Sequence, residues 1–151
     1  MNAWIGHTNQ TLYFSRLLID QAEQGQGVSA QASEHGALCL LQESWLSYLN
    51  ELSVNAGHKV QVGSLAGLIQ SVPLVTGEIT EIRNLAEQPA SWVAAMQTAL
   101  TEQRRPQAAK AVQQSAPGLI AMQATDSLPL RKWWQAMSDL IDSQRENRQE
   151  T

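Results

Sequence analysis

Leucines and tryptophans recurring at intervals of three and four residues constrain this chain more than any other feature of it. Leu38, Leu41, Trp45, Tyr48, Leu49 and Leu52 share one side of a helix turning about 100° per residue, and so do Leu130, Trp133, Trp134, Met137, Leu140 and Ile141. A strand would send alternate members of either series to opposite faces, so both segments are predicted to be helical. β-branched residues cluster only around Val60 to Val62 and Val72 to Ile79. The expected fold class is all-α: an up-and-down helical bundle with two long antiparallel N-terminal helices, two short bridging helices and two further bundle helices in one domain, residues 1–151.

Glycines and prolines set the expected boundaries. A first helix starts with Thr8 or Asn9 as N-cap and runs to about Gln24, with Phe14, Leu17, Leu18 and Gln21 on one face and Leu12 and Ile19 on the other. The second spans about Ser29 to Ala56, with Glu43, Ser47, Asn50 and Glu51 on its solvent side. Short helices follow over Ser64 to Val72 and Glu78 to Glu87. Pro89 suits the first position of the fifth helix, which ends near Arg104. The last runs from Leu130 to about Asn147. Between the last two, residues 107–127 are rich in Gln, Ala, Ser and Pro, with Leu119, Ile120 and Met122 as the one apolar cluster, and read as a linker or loosely docked segment. Burial of Trp45, Trp92, Trp133 and Trp134 is expected to supply much of the core.

A chain of 151 residues buries roughly 68–70% of its unfolded surface and needs no disulfide or structural metal. With 43% hydrophobic residues and a net charge of -4, disorder is excluded, and the apolar run Ala37 to Leu41 is far too short for a bilayer span. Cys39 is the only cysteine, and no cationic stretch precedes an apolar one near Met1, so a reducing, cytoplasmic location is expected. Charge is unevenly placed: residues 1–103 carry -6, residues 104–132 carry +4. That asymmetry suggests that the basic stretch lies against the acidic body or meets an acidic partner.

The phosphate-cradling glycine motifs, His-Glu-x-x-His, the Gly-x-Ser-x-Gly elbow and the Glu-x-x-His pair of di-iron bundles are all absent, as is any arginine four to six residues before a histidine. The reading is a non-enzymatic protein without cofactor or metal. Arg104, Arg105, Lys110, Arg131 and Lys132 could meet phosphates, but the acidic body argues against nucleic acid. Leu12, Ile19 and Leu40 fall where a solvated bundle would place polar residues, and so mark an expected interaction surface for a protein partner or for homodimerisation through the first helix. Glu34, on the side of Leu38 and Leu41, either profits from the helix dipole or joins an internal polar cluster with Gln10, Arg16 and Gln21. The alternative function is a small-ligand or metal-binding bundle using Glu34, His35 and Cys39, the last two being one helical turn apart.

Thr8-Asn9-Gln10-x-Leu12-Tyr13-Phe14 with Arg16-Leu17-Leu18, then Glu34-x-x-Ala37-Leu38, Trp45-Leu46-x-Tyr48-Leu49-x-Glu51-Leu52 and Pro89-x-Ser91-Trp92, resemble a bacterial family of small helical proteins known as a domain of unknown function. The resemblance covers most of the chain to about Leu100 and again the last helix. It implies a soluble, intracellular, all-helical protein and supplies no catalytic residues.

Overall fold

The computed structural model describes residues 2–106 and 127–149. Six helices are formed among them: α1 Trp4–Gln24, α2 Gly27–Asn55, α3 Leu65–Ser71, α4 Gly77–Glu87, α5 Trp92–Gln103 and α6 Leu130–Gln149. The fold is all-α, and the two long N-terminal helices pack closely against each other. The expected linker, with Lys110, Leu119, Ile120 and Met122, lies outside the described residues except for Ser127.

Only Gly25 and Gln26 separate α1 from α2, and Gly27 takes a φ of +64° that L side chains rarely adopt. The reversal makes the pair antiparallel: Thr8 meets Ser47 and Thr11 meets Ser44, so each step forward along α1 is a step back along α2. At the far end of α2, the Gly57 N–H donates to the Val54 carbonyl and the His58 N–H to that of Ser53, 3.0 Å each, with Gly57 at φ +92°. This is the Schellman closure that glycine permits.

Side-chain caps start the shorter helices. Ser64, Thr76 and Ser91 accept from the backbone N–H of Gly67, Ile79 and Ala94. Pro89 therefore does not open α5 as expected; it sits in the turn that the Ser91 N–H closes on the Gln88 carbonyl, where a pre-set φ is equally useful. α1 also begins earlier than expected, at Trp4. Thr8 is not its cap but lies inside it, donating its hydroxyl to the Trp4 carbonyl.

The core gathers around α2, which touches α1, α3, α5 and α6. Leu38, Leu41, Tyr48 and Leu49 are fully enclosed together with Leu68, Ile79, Ile82, Met96 and Met137. Trp45 is buried and meets Trp92 edge-to-face at 5.7 Å. Trp133 is buried as expected, whereas Trp92 and Trp134 are only half-buried. Trp134 lies against α1, its indole N–H donating 2.8 Å to the Leu12 carbonyl.

Two expected faces are corrected. Leu12 and Ile19 are not an outer surface: they are 8% and 2% exposed and belong to the core, while Leu40 is half-buried. The outer face of α1 holds Tyr13, Phe14 and Leu17 instead. The supposed solvent side of α2 is largely interior too, since Ser47, Asn50 and Glu51 are buried and only Glu43 is exposed.

Candidate functional site

Two groups of polar side chains are drawn inside the bundle. The first lies between α1 and α2. Thr8 and Ser47 share a hydrogen bond of 2.7 Å, Ser44 donates 2.9 Å to Thr11, and Ser15 donates 2.8 Å to the Thr11 carbonyl. Hydroxyls that bond back to a carbonyl of the preceding turn leave no polar atom unpaired, and their small volume lets two backbones approach. Gly36 continues this seam, with a Leu18 methyl where its Cβ would be.

The second group closes the opposite end of α6 onto the body. Glu51 is fully buried, and Arg145 grips both its oxygens, Nε to Oε1 and Nη2 to Oε2 at 2.8 Å each. Arg148 adds a contact of 3.2 Å to the same carboxylate and pairs with Glu78 of α4. Arg145 also donates to the Asn9 side chain, 2.8 Å away on α1. Tyr48, entirely enclosed, donates its hydroxyl to Gln144, whose amide N–H groups reach the Glu78 carbonyl and the Glu81 carboxylate. Four helices thus meet through one network.

Its electrostatics follow from burial. Loss of water pushes the Tyr48 phenol far above its usual range, partly offset by Arg148. Burial likewise raises the Glu78 carboxyl, and Arg148 opposes the rise. At the other end of α6, Arg131 forks onto Glu23 at 2.8–3.1 Å and pairs with Asp20. That hydrogen bonding holds Glu23 below its ordinary value. Of the basic stretch 104–132, Arg131 on α6 meets acids of α1, while residues 107–126, with Lys110, lie outside the described residues.

The expected polar cluster does not assemble. Gln10, Arg16 and Gln21 are exposed, so they form no internal cluster, and Glu34 is half-buried, lining a 330 Å³ pocket with Ile19, Glu23, Leu130 and Arg131. Arg16 lies over the Tyr13 and Trp134 rings at 5.5 and 6.0 Å. Nor do Glu34, His35 and Cys39 converge. His35 and Cys39 are exposed toward α5, where Gln103 donates to the His35 carbonyl and lies 3.4 Å from the Cys39 sulfur. Among the described residues no group of three His, Cys, Asp or Glu is placed to hold a metal ion.

Sequence reasoning passed over Glu51, Arg145 and Arg148. One signal was available. The apolar stripe of α6 continues past Ile141 through Gln144 to Arg148 at the same spacing, and an arginine on a buried stripe requires an acid facing it.

Among the described residues no helix is long and apolar enough to cross a membrane. No curated protein and no solved structure matches the chain. The model of DUF6586, a family of unknown function, matches residues 1–151, and the chain belongs to that family.

Proposed function

We propose that the protein is a non-enzymatic helical interaction module that pairs with a second copy of itself through the outer face of α1. The observation that carries this reading is an uncharged stripe of Gln10, Tyr13, Phe14, Leu17 and Gln21, on which Tyr13 is 50%, Phe14 42% and Leu17 39% exposed. The stripe is nearly the same in both directions. An antiparallel copy of α1 places Phe14 across from Leu17 and Gln10 across from Gln21, the self-complementarity that a two-fold interface requires. The polar groups inside the bundle are engaged with one another, which favours a structural over a catalytic role for them. The lone thiol of Cys39, exposed on α2, suits a reducing, cytoplasmic setting.

Three large side chains fall short of the roughly 800 Å² per partner of a standard interface, so the pairing is weak and concentration-dependent. Arg16 flanks the centre and approaches its own copy, so added salt strengthens association. Light scattering after size exclusion tests this. Wild type shifts toward dimer as concentration rises, and Phe14→Glu with Leu17→Glu stays monomeric with unchanged helicity. A wild type that is monomeric at every concentration overturns the reading.

A further inference from the structure

Between α4 and α6 runs an open groove of about 740 Å³, walled by Thr80, Glu81, Asn84 and Gln88 on one side and by Asp139 and Ser143 on the other. Leu85 and Leu140 line it as half-buried apolar surface. Its α4 wall extends from Gly77 to Gln88, roughly 16 Å at the helical rise. An extended chain covers that length with about five residues.

The charge in the groove has one sign. Glu81 and Asp139 stand on opposite walls, and none of the residues lining the groove is Lys, Arg or His. Each acid has one oxygen held by a glutamine of α6, Gln144 on Glu81 and Gln135 on Asp139, at 2.8 Å. The second oxygen of each receives no hydrogen bond from those glutamines. Arg148, one turn beyond Gln144, pairs with Glu51 and Glu78 and is not among the residues lining the groove. Amide and hydroxyl groups of Asn84, Gln88 and Ser143 line the same walls as the acids.

We infer that this groove docks a short, extended basic peptide segment of a partner protein. Its cationic side chains lie along Glu81 and Asp139, and an apolar side chain between them rests on Leu85 and Leu140. The α1 stripe contributes no residue to the groove, so the two surfaces are independent, and a molecule with both would join two copies to two partners.

Fluorescence anisotropy with a labelled peptide alternating arginine and leucine tests the assignment, in the Phe14→Glu, Leu17→Glu background so that self-pairing plays no part. The peptide binds, more weakly as salt rises, and versions with glutamate for arginine or serine for leucine bind less. Asn84→Lys with Asp139→Lys weakens binding about tenfold or more. Gln31→Lys with Glu102→Lys, the same charge change on other surfaces, leaves it unchanged. Ser143→Lys replaces the double variant if circular dichroism finds that it has lost helicity. Equal loss in the control pair, no loss in the groove variants, or full displacement by equimolar spermidine overturns the inference; the last assigns the groove to a free polyamine.

Discussion

A carboxylate with no access to water, as at Glu51, survives folding only when its lost hydration is replaced group for group. Here two guanidiniums replace it, and each is itself only partly exposed. Removing the acid takes the shared carboxylate from two partly buried cations, and Glu51→Ala is expected to cost about 3–5 kcal/mol, read as a fall in the urea midpoint. Glu78 behaves in the opposite sense from a simple salt bridge. Its carboxyl holds the proton more tightly in the folded state than in the unfolded one, so its contribution to stability is present below pH 4.5 and is lost as pH rises through the folded value. Glu78→Gln removes that dependence. Its stability relative to wild type is expected to climb over that window when urea melts are run at successive pH values. A gap that shrinks with rising pH would show that Arg148, not burial, dominates at Glu78.

At the scale of the helix, the periodic leucines and tryptophans of α2 and α6 were legible because large apolar groups have only one place to go. α1 was misread for a physical reason. Choosing the buried side by hydrophobicity selects Phe14 and Leu17, but α1 meets α2 through Thr8 and Thr11, with Ser15 buried on the same helix. These hydroxyls also bond to carbonyls of their own helix, while their size permits close approach. Ser47, Asn50 and Glu51 were misplaced because a helix with neighbours on several sides has little solvent face to assign. Asn50 illustrates this, since it clasps both backbone groups of Val62 and holds that segment against α2. Glu34 had the reverse fate: it shares the stripe with Leu38 and Leu41 but, two turns into α2, lines a pocket beside Arg131 and stays half-buried. If close approach is what small residues provide at the seam, Ser44→Leu should wedge α1 from α2. The expected cost is about 1–3 kcal/mol in chemical denaturation, with helicity largely kept.

Across the whole molecule, α6 is the element whose partners are most distant in sequence. Trp134 reaches the Leu12 carbonyl over 122 positions and Arg131 reaches Glu23 over 108, whereas α1 and α2 are joined through a two-residue turn. Short-range pairing costs little loop entropy, so the α1–α2 hairpin is expected to form early and α6 to dock late. Arg131→Ala should accordingly leave the refolding rate nearly unchanged and speed unfolding in stopped-flow measurements; slowed refolding would place α6 in the nucleus. From Ser44 to Ser53 every residue except half-buried Leu46 is buried, polar ones included. Such a stretch cannot open by itself without undoing the contacts of several neighbouring helices, so deuterium enters its amides only when the entire protein unfolds.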